Sequence, residues 1–227
     1  MSSTPTQKLV FVTGNKNKLA EAQGILGNHF QLESVNIDLP ELQGTSQEVA
    51  IGKCIQAAEI VMSTDLSLLR IPVLDSTPSM DFLDPTCTHL YEINMADRDA
   101  FLRSLSQDLM SPWYLYRSPI TSKWFLQGVG LDGLNKMLDG FSDRSASAFC
   151  TIAYSRGPGT EPILFDGRVQ GKIVAARGPT NFGWDPVFQP DGYDKTYAEI
   201  EPAVKNTMSH RYKALVMLRE FLDKENK

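Results

Sequence analysis

The segment from residue 9 to residue 26 constrains the fold more than any other part of the sequence. Residues 9–13 (LVFVT) are apolar and mostly β-branched and end at a Gly-Asn pair, as in a buried strand. A rough helical stripe through Leu19, Ala22 and Leu26 follows, and Gly27 predicts its end. A strand, a glycine turn and a helix in this order direct the amino end of the helix toward the carboxyl edge of the strand. The pattern predicts an α/β fold. It leaves two roles open for the turn: an anion site containing Asn15 and Lys18, or a plain connection in which Asn15 caps the helix.

Further elements are predicted along the chain by apolar runs, turn residues and helix caps. Residues 45–48 (TSQE) form a capping box that opens a helix through about Met62. Gly157-Pro158-Gly159 is expected to join an antiparallel pair of strands. The predicted strands are residues 30–37, 71–74, 146–154, 162–169 and 171–176, and the other helices are residues 131–138 and 208–222.

Residues 76–122 lack this organisation. The segment carries four prolines and little periodicity, apart from an amphipathic helix predicted near residues 97–110. A long stretch with so little pattern is unusual inside a compact domain. It is either a surface excursion or sequence that does not belong to the fold.

Composition limits the classes of partner. The net charge of −5 and pI near 5.2 argue against broad nucleic-acid binding, and no apolar run approaches the roughly 20 residues that span a bilayer. The polar N-terminus lacks the apolar core of a signal peptide. Cys54, Cys87 and Cys150 are odd in number and far apart, so neither a disulfide framework nor a zinc site is indicated. We expect no nucleic-acid or membrane partner and a location in the cytoplasm, with the nucleus as a second compartment.

Two segments carry residues suited to a nucleotide. Residues 182–186 (FGWDP) combine an aromatic ring, a glycine and a carboxylate, and residues 205–211 (KNTMSHR) place Lys, His and Arg where a helix is expected to begin. A planar ring can hold a base, and cations can hold anionic oxygens. The alternative is a surface loop followed by a solvated helix end.

Taken together, these patterns resemble the inosine triphosphate pyrophosphatase family, also called the Ham1-like nucleoside-triphosphate pyrophosphatases. The resemblance covers residues 8–74 and 123–222. The matching pieces are FVTGNKNK at 11–18, IDLPELQG at 37–44, FGWDPVF at 182–188, YAE at 197–199 and KNTMSHR at 205–211. Several such motifs in the family's order are specific, whereas any one would be weak.

The resemblance implies an elongated mixed β-sheet flanked by helices, with two lobes and a central nucleotide cleft, formed by residues 1–227 as a single domain. It implies a cytoplasmic homodimer that hydrolyses ITP, dITP and XTP to the monophosphate and pyrophosphate. It also implies Mg²⁺ as cofactor, with Mn²⁺ as an alternative.

Site residues follow from the resemblance position by position. Phe182 would stack on the base, and His210 and Arg211 would help to select a 6-oxo purine. Asp75, Lys18 and Asp185 are the implied catalytic residues, and Glu41 and Asp75 the implied metal ligands. The implied substrate-binding residues are Thr13, Gly14, Asn15, Lys16, Asn17, Lys18, Lys53, Phe182, Gly183, Trp184, Asp185, Lys205, His210 and Arg211.

The chain departs from the family after the strand at residue 71. The family continues VLVEDT, whereas this sequence reads VLDST, and no Glu-Asp pair occurs before Lys123. Asp75, Asp81 or Asp84 would have to substitute. One interpretation is a splice variant or an incorrect gene model. The other is a diverged member that binds nucleotides with weak catalysis or none.

Overall fold

The structure, a computed structural model, describes residues 8–27, 29–40, 42, 45–63, 71–73, 79–82, 122–139 and 142–225. The elements are β1 (Lys8–Val12), α1 (Lys16–Leu26), β2 (Gln31–Val35), α2 (Ser46–Ser63), β3 (Ile71–Val73), β4 (Ser79–Phe82), α3 (Ser122–Met137), β5 (Ser145–Ser155), β6 (Ile163–Ile173), β7 (Phe188–Pro190), α4 (Pro202–Met208) and α5 (His210–Glu225). A 3₁₀ turn at Asp185–Val187 precedes β7.

The strands form one mixed sheet, which confirms the predicted fold class. The order is β2-β1-β3-β5-β6-β7, and β4 also pairs with β5. The first three strands are parallel, with Val12 opposite both Val35 and Val73. The remaining pairings are antiparallel. The parallel strands therefore end at one common edge of the sheet, where α1 begins.

Helices cover both faces of the sheet. On one face, α1 and α5 pack against β5 and β6 through Ala22, Leu26, Leu215 and Leu218. On the other, small residues of α2 allow its close approach to β1 and β5, at Ala50, Cys54, Ala57 and Ala58. Strand β5 is consequently buried along nearly its whole length, since both of its faces are covered.

A third apolar cluster lies around the 3₁₀ turn. Leu134 of α3 and Leu138 just after it join Trp184, Val187 and Phe188 there. This cluster supports one of the two segments that the sequence singles out for nucleotide binding.

Several predicted elements are confirmed. The capping box opens α2 as expected, because the Thr45 amide donates to Glu48 Oε2 (2.8 Å) and the Glu48 amide donates to Thr45 Oγ1 (3.2 Å). The turn at residues 157–159 joins β5 and β6 in an antiparallel pair. Helix α1 begins at Lys16, one turn earlier than the apolar stripe predicts.

The separate strands predicted at 162–169 and 171–176 are wrong, because β6 runs without interruption from Ile163 to Ile173. Gly171 lies opposite Pro190, where β7 pairs with β6. A Cβ atom there would come within 2.4 Å of the carbonyl oxygen of Gln189. The glycine thus allows a close approach between strands and does not mark a strand end.

The helix predicted at about 208–222 is confirmed as α5, which runs to Glu225, but a short helix that precedes it was not predicted. Helix α4 begins at Pro202 and ends at Met208, and α5 begins at His210. Ser209 between them has an extended backbone (ψ 159°), and its Oγ accepts from the amide of Tyr212 (3.1 Å). Ser209 therefore caps α5 and sets its direction.

The segment 76–122 contains at least one ordered strand, since β4 pairs with residues 146–149 of β5. Asp81 lies in β4 opposite Ser147. The helix predicted at 97–110, and Asp75 and Asp84, lie outside the described residues. Within the described ranges, no helix is both long and apolar enough to cross a membrane.

Candidate functional site

The turn after β1 is organised by Asn15. Its side chain accepts hydrogen bonds from the amides of Asn17 (2.9 Å) and Lys18 (3.3 Å), and its own amide donates to Thr13 Oγ1 (3.2 Å). Asn15 is thus the helix cap, and it uses two of the amides that an anion would otherwise meet. Lys16 is exposed and Lys18 is half-buried at this helix end.

Gly14 in the same turn is packed against the end of β2. A Cβ atom there would lie 2.6 Å from Asn36 Oδ1. The loops that follow β1 and β2 therefore meet closely at the carboxyl edge of the sheet.

The segment 182–188 presents aromatic rings to the C-terminal helices. Gly183 adopts a left-handed backbone (φ 46°), which glycine tolerates best, before the chain enters the 3₁₀ turn. The Trp184 side chain is buried and stacks on Tyr197, with ring centroids 6.0 Å apart. Tyr197 in turn stacks on His210 (5.9 Å). These three rings form one wall.

Asp185 and Lys205 form a buried ion pair beside this wall. Both are largely inaccessible to solvent, with 4% and 8% of their surfaces exposed. Burial raises the pKa of Asp185, and the positive charges of Lys205 and Arg211 oppose that rise. The Lys205 Nζ atom also lies 4.8 Å from the centroid of the Phe182 ring.

Arg211 connects the wall to α1. Its guanidinium pairs with Glu21, and its Cζ atom lies 5.6 Å from the centroid of the Phe182 ring. Phe182 therefore has two cations near its ring. Glu21 is not among the predicted site residues, although its position three residues after Lys18 on α1 predicts that both side chains share a helix face.

His210 is buried, and neither ring nitrogen finds a hydrogen-bond partner within the described part of the chain. The same holds for Trp184 Nε1 and Arg211 Nε. Buried polar atoms are nearly always hydrogen-bonded in folded proteins. Several such atoms in neighbouring residues are typical of a site that a polar ligand completes.

The sequence model of the Ham1 family matches residues 9–84 and 117–221 of the chain. The chain belongs to the Ham1 family. The match leaves residues 85–116 uncovered, a shorter interval than the segment 76–122 that lacks a clear pattern.

Relatives of this Ham1-family chain extend over almost its whole length. It is 43% identical over 212 residues to the inosine triphosphate pyrophosphatase of Emericella nidulans, covering 93% of this chain and 94% of the relative. It is 44% identical over 219 residues to that of Aspergillus fumigatus, covering 96% of each. The solved HAM1 protein of Coxiella burnetii shares the fold, with a TM-score of 0.63 at 24% identity, and the match covers 96% of this chain and 100% of that one.

Of three further predicted site residues of the Ham1-family chain, one lies within the described ranges. Lys53 is half-buried on α2, which packs on the sheet face opposite α1 and α5. Glu41 and Asp75, the predicted metal ligands, are outside the described residues. Across the described ranges, no group of three or more His, Cys, Asp or Glu residues is suited to hold a metal ion.

His210 gives the Ham1-family chain a predictable acid sensitivity. Burial lowers the pKa of His210 well below 6.5, and the charges of Arg211, Lys205 and Lys18 add to the effect. The folded state thus holds His210 neutral, while the unfolded chain takes up a proton below about pH 6.5. The neutral His210 therefore does not weaken the folded state above about pH 6.5. As pH falls below that value, protonation of the unfolded chain lowers the free energy of unfolding.

We therefore expect the free energy of unfolding to fall below pH 6.5 by up to about 1.4 kcal/mol per pH unit through His210. Urea unfolding from pH 7.5 to 5 should show this slope, and His210→Gln should remove it. An equal slope in wild type and variant would contradict the assignment.

Proposed function

We propose that this chain hydrolyses the purine nucleoside triphosphates ITP, dITP and XTP to the nucleoside monophosphate and pyrophosphate, and so removes deaminated purines from the nucleotide pool. The observation that carries the proposal is the cluster of Trp184, His210 and Arg211 beside the Phe182 ring. Each of the three has a buried side-chain nitrogen that lacks a partner among the described residues. The relatives named inosine triphosphate pyrophosphatase support the same substrate class.

The hydrogen-bond donors of the proposed base pocket favour a 6-oxo purine over adenine. The indole Nε1 of Trp184 and the guanidinium of Arg211 donate hydrogen bonds and cannot accept them. A 6-oxo purine presents acceptors at O6 and N7, whereas adenine presents a donor at its 6-amino group. Adenine would leave buried donors unmatched, which costs about 1–3 kcal/mol and gives roughly 5- to 150-fold discrimination.

Phe182 and its neighbouring cations hold the base and the adjacent anionic groups. The ring offers a stacking surface, and Lys205 and Arg211 beside it supply positive charge. Asp185 keeps Lys205 in place through their buried ion pair. In this arrangement the purine lies against the wall, and the triphosphate extends toward the turn after β1.

The residues of that turn orient the triphosphate. Thr13 and Asn15 shape the turn, and Lys16 and Lys18 bring two ammonium groups to the first turn of α1. Lys53 adds further charge. Water attacks the α-phosphorus in line with the bond to the β-phosphate, and pyrophosphate leaves. The lysines stabilise negative charge that develops on the phosphoryl oxygens.

Mg²⁺ fits the topology of this edge. Glu41 follows β2 and Asp75 follows β3, and both strands end at the edge where the triphosphate turn begins. Carboxylates are the protein ligands that Mg²⁺ prefers. We propose Glu41 and Asp75 as its ligands, with Mn²⁺ as an alternative metal. When bound, the ion would neutralise phosphoryl charge. Asp75 would stand in for the Glu-Asp pair of the family.

The family resemblance further supports a homodimer in the cytoplasm. Size-exclusion chromatography with light scattering should give about twice the mass of the chain, which is 25.3 kDa. A monomeric mass at micromolar concentration would reject the dimer.

The decisive experiment measures pyrophosphate release from ITP by the purified protein with Mg²⁺ and with EDTA, using ATP as the competing substrate. We expect metal-dependent turnover of ITP at least about fivefold faster than that of ATP. A folded protein that binds ITP without turnover would instead be a catalytically impaired homologue. Equal use of ITP and ATP would reject the base selectivity.

A further inference from the structure

Residues 196–199 (TYAE), here called the TYAE segment, contact several parts of the proposed base pocket. The segment forms a tight turn in which the amides of Glu199 and Ile200 donate to the carbonyl oxygen of Thr196 (3.0 and 3.1 Å). Thr196 and Tyr197 are fully buried or nearly so. The substrate binding described above uses the Tyr197 ring as part of the wall and gives no role to Thr196 or Glu199.

Thr196 ties the segment to the start of the loop that carries Phe182. Its hydroxyl donates to the carbonyl oxygen of Arg177 (3.0 Å), and its amide donates to Glu199 Oε2 (2.9 Å). The hydroxyl of Thr196 also lies 3.3 Å from Glu199 Oε2, as the hydroxyl of Thr45 lies 3.0 Å from Glu48 Oε2 in the capping box of α2. The difference is that the Thr45 hydroxyl accepts from the Glu48 amide, whereas the Thr196 hydroxyl donates to the distant Arg177. The Thr-x-x-Glu pattern thus serves as a helix cap once and as a loop attachment the second time.

Arg177 is held from several directions. Its amide donates to the carbonyl oxygen of Pro186 (2.9 Å), and its guanidinium donates to Gln189 Oε1 (2.9 Å) and to the carbonyl oxygen of Asp194 (3.1 Å). Its Nε also lies 3.6 Å from Glu199 Oε2.

Gly178 fits closely against the TYAE segment. Its backbone is left-handed (φ 83°), and a Cβ atom would lie 2.9 Å from Cγ of Glu199. The loop from residue 174 to residue 185 is therefore attached to the segment at its base, before the chain reaches Phe182.

The middle of the TYAE segment contacts the pocket wall directly. The Tyr197 ring stacks on both Trp184 and His210, and the Ala198 amide donates to the carbonyl oxygen of Asp185 (3.3 Å). A single turn of chain thereby joins the base of the loop, the aromatic wall and the backbone of Asp185.

We propose that Thr196, Glu199 and Arg177 are positioning residues that hold the loop 174–185 in the conformation that recognises the purine base. The inference rests on the proposed function, because it assigns these residues to the same pocket. If only molecules with the loop attached to the TYAE segment bind the base, a ligand's apparent affinity falls as the fraction of such molecules falls. Loss of the attachment should then weaken binding and base selectivity more than it slows the chemical step.

The test compares Thr196→Val with wild type. Valine keeps the shape of threonine and removes the hydroxyl, so the carbonyl oxygen of Arg177 loses a donor. We expect the KM for ITP to rise about tenfold, kcat to change less than about threefold, and the preference for ITP over ATP to narrow. Amide exchange measured by mass spectrometry should increase in peptides from residues 174–185. Thr196→Ser, which restores the hydroxyl, should recover the wild-type values.

Thr160→Val is the matched control. Thr160 donates to the carbonyl oxygen of Gly157 in the β5–β6 hairpin, next to the amino end of β3 and thus away from the pocket edge. The Thr160→Val substitution should lower the midpoint of thermal unfolding and leave the KM for ITP unchanged. If Thr196→Val does not fold, Glu199→Gln, which keeps an acceptor and removes the charge facing Arg177, should raise the KM about threefold.

An unchanged KM and unchanged loop exchange in the folded variant would overturn the positioning role. Failure of the proposed function has a different signature, since the wild type would then not hydrolyse ITP. The loop exchange would still decide whether the attachment exists.

Discussion

Replacing Lys205 by Met is expected to lower the free energy of unfolding by about 3–5 kcal/mol at pH 8. Lys205 neutralises the buried carboxylate of Asp185, and methionine fills similar space without charge. The carboxylate would be left in a largely apolar surrounding, where ionisation is costly. Chemical denaturation monitored by circular dichroism gives the measurement, and ITP hydrolysis should be lost in the same variant.

The pH dependence identifies the cause. The pKa of Asp185 is already raised by burial, and loss of Lys205 removes the largest opposing influence. A protonated Asp185 needs no cation, so the stability deficit should be small near pH 4 and grow as pH rises above the unfolded-state pKa of 3.8. Adding Asp185→Asn to Lys205→Met should recover most of the lost stability. A deficit that is independent of pH, or no recovery in the double variant, would show that the charge pair is not responsible.

Replacing Gly167 by Ala is expected to destabilise the protein by about 3 kcal/mol, at the upper end of overpacking effects. Gly167 of β6 lies beneath the start of α5, and an added Cβ would come within 2.0 Å of the carbonyl oxygen of His210. It would also approach the amide nitrogen of Ala214 to 2.5 Å. Backbone atoms cannot move aside as a flexible side chain can. Helix α5 would have to shift, and His210 and Arg211 would move with it.

Gly24→Ala is the matched control with the opposite sign. Gly24 is an exposed residue of α1, and nothing lies within 4 Å of a Cβ atom built there. Alanine should stabilise the helix by about 0.5–1 kcal/mol. Thermal unfolding of both variants separates the steric effect from the general cost of changing a glycine. A stable Gly167→Ala protein with full ITP turnover would contradict the close packing inferred for this site.

Local sequence patterns predict those elements whose signals are also local. The strand at residues 9–13 and the capping box at Thr45 are examples, since apolar runs and caps depend on near neighbours. The division of β6 failed because the role of Gly171 depends on a strand 17 residues further along the chain, where Phe188 begins β7. The break between α4 and α5 did have local signals, because Pro202 favours a helix start and Ser209 favours a cap.

The same contrast between local signals and contacts remote in sequence applies to the site. Family resemblance indicates Phe182, Asp185 and Lys205 as pocket residues, and the structure brings them together. Glu21 was missed because its partner, Arg211, is remote in sequence and no periodicity links the two. Likewise, no sequence pattern distinguishes the loop attachment at Thr196 from an ordinary helix cap such as Thr45.

The Glu21–Arg211 ion pair has a consequence for how the protein is made. Its two residues are 190 positions apart. A ribosome that adds about 5–20 residues per second needs on the order of 10–40 s to deliver the second after the first. During that interval the apolar face of α1 lacks the C-terminal helix that covers it. The apolar face of α1 should therefore stay accessible to chaperones until α5 is made, and slow translation between the codons for Glu21 and Arg211 would prolong that exposure.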